Sequence, residues 1–393
     1  MFEFQRSAGL KGLQGFGMAE AIERFHASRS PARAADSRLH ETEAFGSNPG
    51  ELRMFSYTPT QSAGPLALVV VLHGCGQNAV GYDRGAGWST LADRYGFLVL
   101  MPEQQRTNNP NGCFNWFEAG DTQRDGGEAA SIHQMVETML RDGGVDPRRI
   151  FVTGLSAGGA MTSVMLACYP DTFAAGAVIA GLPYGAASNV QQALMSMYQC
   201  PPHAGKHWGD LVREAAPSHV LSWPRVSVWH GGADRTVVPC NARETIKQWT
   251  DVHGLTDAPS MEDTVQGYPR QVWLNGVGEE VVESYTIPHM AHGTPLASGD
   301  AGSECGAPGP FLLDVGISSS FHIAQFFGLT PGVVRPAKSV INTAASKPTR
   351  PLQPSHIHGD RSTDARKSKT GSRTDIGAMI SAALAKAGLL IRG

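Results

Sequence analysis

The chain has 393 residues and a net charge of −3. That length holds one large domain with tails, or two domains, and that charge leaves no footprint for nucleic acid or another polyanionic partner. Apolar residues suffice for a sizeable core, no apolar run approaches membrane-spanning length, and six cysteines are too few for a disulfide scaffold in so long a chain.

Residues 1–50 are poor in strand signals and read as a partly ordered N-terminal arm, with a short amphipathic helix pattern from Ala19 to Ala27. No basic start followed by an apolar run and a small-residue cleavage site marks an ordinary secretory signal. Arg53 to Pro59 alternates like an edge strand. Pro65 to Leu72 is a continuous apolar run rich in valine, the pattern of a strand buried on both faces of a parallel sheet. His73-Gly74-Cys75-Gly76 follows at once. Trp88 to Tyr95 is helix-like, and Phe97 to Met101 is a second buried strand. A loop rich in Asn, Gly and Pro then carries Cys113 and Trp116. Glu128 to Arg141 has helical periodicity, with Ile132, Met135, Val136 and Met139 on one side.

Arg149 to Thr153 is strand-like and Ala160 to Cys168 helix-like. Phe173 to Ala180 is another apolar strand. Gly181 to Leu221 lacks a clear strand and reads as a helical cap. Arg225 to Trp229 is a strand running into His230-Gly231-Gly232-Ala233-Asp234, and Asn241 to Val252 is helix-like. Gln271 to Leu274 and Val281 to Ile287 form a strand pair around an Asn275-Gly276 turn, and Ser318 to Phe327 is a last short helix. The alternation of strands and helices predicts an α/β fold with a mostly parallel central sheet flanked by helices, over 51–330. Residues 331–373 read as a basic disordered linker; Arg335 to Arg373 holds nine Lys or Arg against two Asp. Residues 374–393 hold an apolar helix candidate from Ile376 to Ile391. A docking helix and a helix that contacts a polymer or membrane surface both fit it.

Between strand-like and helix-like stretches lies Gly154-Leu155-Ser156-Ala157-Gly158, the G-x-S-x-G spacing of a nucleophile elbow. Ser156 is expected on a cramped turn with strained backbone angles. Side chains two residues before and after it would collide with backbone, which explains both glycines. The Ala157 N–H would then open a helix and face a developing oxyanion. A serine nucleophile needs a base and a group to orient that base. Asp234, in a turn after a candidate strand, fits the orienting carboxylate. His289 and His292, after the last candidate strand, compete for the base. The Cys75 N–H, after the first buried strand, stands where the second oxyanion donor belongs. A bridge between Cys75 and Cys113 is expected to tie that loop to the Trp116 loop. Cys200 with Cys240 is a second candidate pair, and spacing alone leaves connectivity open. No C-x-x-C occurs, so no structural metal is expected, and the chemistry calls for no cofactor.

The stretches LVVVLHGCGQNAVGYDRGAGW, PNGCFNWF, RDGGEAASI, VDPRRIFVTGLSAGGAMTSVMLACYPDTFAAGAVIAGLPYGAA, VWHGGADRTVVPCNA, HMAHGTPL and CGAPGPFLLDVGISSSFHIAQFFGL carry a resemblance. Together they resemble the esterase family of the short-chain polyhydroxyalkanoate (PHB) depolymerases and, more distantly, of feruloyl and acetylxylan esterases. They run from about Leu52 to Leu329. The resemblance implies an α/β-hydrolase fold and a triad of Ser156, Asp234 and His292, the last favoured over His289 by its His-Gly-Thr-Pro context. It also implies an oxyanion hole at Cys75 and Ala157, a cleft walled by Trp88 and Trp116, an ester substrate and an extracellular setting. The expected function is hydrolysis of short-chain carboxylic esters of the 3-hydroxyalkanoate type, with plant cell-wall feruloyl or acetyl esters as the alternative. Many secreted relatives add a signal peptide and a β-rich polymer-binding domain; the basic tail here differs, so soluble oligomers are expected at least as much as polymer. A non-catalytic binding protein on this fold would be betrayed by a missing triad member, and none is missing.

Overall fold

A computed structural model describes residues 37–60, 64–142 and 144–330. The Ala19 to Ala27 helix, the basic linker and the C-terminal helix expected from sequence lie outside the described residues. Within the N-terminal arm, β1 (His40–Thr42) pairs antiparallel with β2 (Arg53–Tyr57). β2 is therefore the second strand in, not the edge strand that its alternation suggests.

Next come β3 (Leu66–Leu72), α1 (Ala79–Ala86), α2 (Trp88–Tyr95) and β4 (Phe97–Glu103). α3 (Gly127–Arg141) leads into β5 (Val145–Leu155), α4 (Ala157–Cys168) and β6 (Ala175–Ile179). The expected cap is two helices, α5 (Val190–Gln199) and α6 (Gly205–Ala215). β7 (Arg225–Gly231) and α7 (Cys240–Val252) precede an antiparallel wing of β8 (Met261–Val265), β9 (Tyr268–Leu274) and β10 (Glu280–Ile287). β11 (Thr294–Leu296), β12 (Leu312–Asp314) and α8 (Ser319–Phe326) complete the described chain.

The main sheet has ten strands in the order β1-β2-β4-β3-β5-β6-β7-β10-β9-β8. The stretch from β4 to β10 is parallel throughout, and both wings are antiparallel. β3 shows why it sits at the centre. Leu68, Val70 and Leu72 pack in one apolar cluster; Ala67, Val69 and Val71 pack in the other. A period-two chain with no polar position buries both faces, and each fully buried valine or leucine side chain contributes about 1.5–3 kcal/mol. α4 carries no charged residue, and all its residues are buried, so it is packed all round. Loops after β3, β5, β7 and β10 emerge at one carboxyl edge of the parallel strands, where ligands bind in open α/β sheets.

Candidate active site

β5 ends at Leu155 and α4 begins at Ala157, so a single residue turns the chain. That residue is Ser156, at φ 58° and ψ −116°. Such a backbone costs on the order of 1–3 kcal/mol and persists only where its surroundings hold it. Here the Ser156 N–H donates to Ile179 O at 2.9 Å, and Ser156 O accepts from Ala160 N at 2.8 Å. The glycines are required for space. A Cβ on Gly154 would lie 2.4 Å from Gly158 O, and one on Gly158 would lie 2.3 Å from Leu72 O. The collision expected from sequence is thus with the opposite arm of the elbow and with the end of β3. Ala157 opens α4, where an N–H has no intrahelical acceptor.

Ser156 Oγ is 2.8 Å from His292 Nε2, and His292 Nδ1 is 2.7 Å from Asp234 Oδ2. The carboxylate fixes the tautomer: Nδ1–H donates to Asp234, which leaves Nε2 to accept the serine proton. All three residues are buried. His289, the rival base, is exposed. The loops after β7 and β10 are stitched together: Ala233 N donates to Met290 O at 3.0 Å and Gly232 N to Ile287 O at 2.8 Å. Gly231 and Gly232 permit that approach, since a Cβ on either would sit within 2.5 Å of a carbonyl oxygen of the His292 loop.

Asp234 is saturated with donors. Oδ1 accepts from Thr236 N at 2.8 Å and Val237 N at 2.9 Å. Oδ2 takes His292 and, at 3.3 Å, His230 Nε2. Burial alone would raise its pKa, but the hydrogen bonds from His230 and His292 outweigh burial and hold it well below the usual carboxylate range. His230 was not singled out by sequence; the signal was its place four residues before Asp234, which faces it only because the intervening Gly-Gly-Ala turns sharply. Phe311 is a second such residue. Its ring lies edge-on to His292, centroids 6.0 Å apart, on a backbone with φ 62°.

On the other side of Ser156, the loop after β3 carries Cys75, bridged to Cys113 as expected. Cys200 and Cys240 are not bridged: both are free thiols, at the end of α5 and the start of α7, and burial, with Cys240 nearby, pushes the Cys200 thiol up. Trp116 is 7% exposed, in the loop tied down by Cys113, with its ring edge-on to Phe117. Trp88 does not wall a cleft. It is completely buried on α2 and packs on Phe97 in the core, because the Gly87 turn points it inward beneath the sheet. Among the described residues no cluster of three or more His, Cys, Asp or Glu could hold a metal, and no helix is long and apolar enough to cross a membrane.

A serine, a tautomer-fixed histidine and a buried aspartate at the carboxyl edge of a parallel sheet define the α/β-hydrolase class. Comparison with known proteins narrows the class. The family model described as esterase PHB depolymerase matches residues 54–267. Poly(3-hydroxyalkanoate) depolymerase C of Paucimonas lemoignei is 45% identical over 74% of this chain and 70% of its own length. An acetylxylan esterase of Coprinopsis cinerea is 36% identical over 66% of this chain and 70% of its own. Feruloyl esterase B of Talaromyces funiculosus is 31% identical over 65% and 73%. Among solved structures, acetyl xylan esterase from Aspergillus awamori superposes with a TM-score of 0.62 at 26% identity, covering 74% of this chain and 99% of that one. The chain belongs to the PHB depolymerase esterase family and is a carboxylic ester hydrolase with an α/β-hydrolase fold.

Proposed function

We propose that this esterase cleaves short 3-hydroxyalkanoate esters of the PHB type, as oligomers or polymer, through an acyl-enzyme on Ser156. Ser156 Oγ attacks the ester carbonyl while its proton passes to His292 Nε2, and Asp234 stabilises the resulting imidazolium. The negative oxygen of the tetrahedral intermediate is received by the N–H groups of Ala157 and Cys75. Collapse expels the alcohol, which takes the proton from His292. Water, activated by the same histidine, then releases the acid and restores the serine. Trp116 supplies an apolar wall beside the oxyanion loop.

The observation that carries this reading is the continuous Ser156–His292–Asp234 chain, at 2.8 Å and 2.7 Å. The substrate class rests on the 45% identity to the Paucimonas depolymerase. A second reading, an acetylxylan or feruloyl esterase, is favoured by the superposition on the Aspergillus acetyl xylan esterase over nearly all of its length. The Cys75–Cys113 bridge supports an oxidising, extracellular setting. The deciding experiment compares kcat/KM on a soluble 3-hydroxybutyrate trimer, methyl ferulate and acetylated xylan. Preference for the trimer is expected; preference for either plant ester would replace the substrate class and keep the reaction.

A further inference from the structure

The motif that opens α3, Asp125-Gly126-Gly127-Glu128, has no part in the chemistry above. Glu128 is nevertheless completely buried, a rare place for a glutamate. Every hydrogen bond to its carboxyl comes from the loop that follows β4. Oε1 accepts from Gln104 Nε2 at 2.5 Å and from Asn108 Nδ2 at 3.2 Å. Oε2 accepts from Asn115 N at 2.8 Å. Its own N–H donates to Asp121 Oδ1 at 3.0 Å, which fixes the helix start. Gly50 packs directly on its backbone, where a Cβ would lie 2.4 Å from Glu128 Cα.

Two routes lead from this carboxyl to the loop after β3. In the first, Gln104 N donates to His73 Nε2 at 3.1 Å, and His73 Nδ1 donates to Gly74 O at 2.8 Å. Burial lowers the pKa of His73, which keeps the ring in the neutral form that this relay requires. The peptide that Gly74 O belongs to is the one that carries the Cys75 N–H. In the second route, Gln104 Nε2 also donates to Cys113 O at 2.9 Å, and Cys113 is bonded through sulfur to Cys75. Asn115, held by Oε2, adjoins Trp116. One buried carboxyl therefore grips both sides of the Cys75–Cys113 bridge and the neighbour of the cleft tryptophan.

We propose that Glu128 is the positioning residue of the oxyanion hole, setting the Cys75 N–H through Gln104, His73 and Cys113 while touching no substrate atom. The proposal rests on the serine-esterase reading. Donors for an oxyanion must be placed to a few tenths of an ångström. Among the described hydrogen bonds, Glu128 is the buried carboxyl that gathers Gln104, Asn108 and Asn115 of the loop after β4, and Gln104 passes that hold on to His73 and Cys113. Glutamine at 128 would keep the volume but present an N–H to one of the three donors, so the loop must give way.

The test uses the full chain as wild type and as Glu128→Gln and Glu128→Ala. Active serines are counted with a fluorophosphonate. kcat and KM are then measured on p-nitrophenyl butyrate, with the inhibition constant of an alkyl trifluoromethyl ketone, whose adduct places an anionic oxygen in the hole. For Glu128→Gln we expect kcat per labelled serine to fall roughly tenfold to a hundredfold, with KM changed less than about threefold. The ketone constant should rise in parallel with the loss in kcat/KM. A lower melting temperature with unchanged kcat per labelled serine, or a ketone constant that does not follow kcat/KM, overturns the proposal. If both Glu128 variants fail to fold, Gln104→Met takes their place: the same parallel losses are expected of it, and unchanged kcat or an independent ketone constant overturns the proposal. Wild type that takes no label at Ser156 overturns the esterase reading itself, and this proposal with it; labelled wild type beside an unaffected Glu128→Gln overturns the proposal alone.

Discussion

His230 Nε2 lies 3.3 Å from Asp234 Oδ2, the same oxygen that His292 Nδ1 reaches at 2.7 Å. The His230 N–H is shared with Val237 O, 2.8 Å away. Two histidines thus converge on one carboxylate oxygen, and only one of them touches the serine. His230→Phe keeps the ring and removes the donor. It should lower kcat/KM roughly tenfold, far less than the ~10⁴-fold loss from corrupting a triad carboxylate. It should also cost about 1–3 kcal/mol in urea unfolding, from the Val237 carbonyl left without its donor. Unchanged kcat/KM in a folded variant would reduce His230 to packing.

The elbow makes a steric prediction. In Gly158→Ala the new Cβ meets backbone, Leu72 O and His73 O, and nothing flexible can yield. The start of α4 must move off the end of β3, which separates Ala157 from Cys75. A displacement near 1 Å should cost roughly 10²-fold in kcat. The check is kcat on p-nitrophenyl butyrate in a variant shown to be folded by circular dichroism.

The Cys75–Cys113 bridge closes a segment with a sequence separation of 38. On chain-entropy grounds, Cys75→Ser/Cys113→Ser should lose roughly 4 kcal/mol in denaturant unfolding. Activity should fall too, since the same bridge fastens the loop after β3 to that of Trp116. The wild type treated with dithiothreitol should behave like the double variant in both measurements.

The two tryptophans should separate cleanly. Trp88→Ala empties a core site and should cost about 3–5 kcal/mol with no change in the ranking of substrates. Trp116→Ala should change KM and the preference between butyrate and acetate esters. A selectivity change in Trp88→Ala would restore that residue to the cleft.

Sequence carried the parts of this fold whose physics is local. Pro65 to Leu72 reads as a buried strand because a valine-rich run with no polar position admits little else, and β3 sits mid-sheet. The elbow reads because its glycines are dictated by neighbours within four residues or by the adjoining strand. What escaped depends on distant partners. α1 carries Gly81 and Gly85, poor helix formers, and Gly85 packs against the Leu312 side chain, some 230 residues on, which a Cβ would displace. β8 is charged and alternates in exposure, so it shows no apolar run and forms by pairing with β9. Trp88 looked like a cleft aromatic because residue type does not tell which way a turn points a side chain. Glu128 reads in the sequence only as the start of a helical stretch; its burial is set by Gly50 and by the loop after β4. The Cys200–Cys240 bridge that the sequence offers as a second pair does not form: both are free thiols, and spacing alone does not tell a bridge from two thiols.

The most direct measurement is hydrolysis of a soluble 3-hydroxybutyrate trimer by wild type and Ser156→Ala, prepared identically and followed by release of acid. The account predicts turnover by the wild type and a fall of at least roughly 10⁴-fold in the variant, the scale of losing a serine nucleophile. Variant activity within about tenfold of wild type would contradict it, because the hydrogen-bonded chain from Ser156 to Asp234 would then not be the route by which this protein cleaves esters.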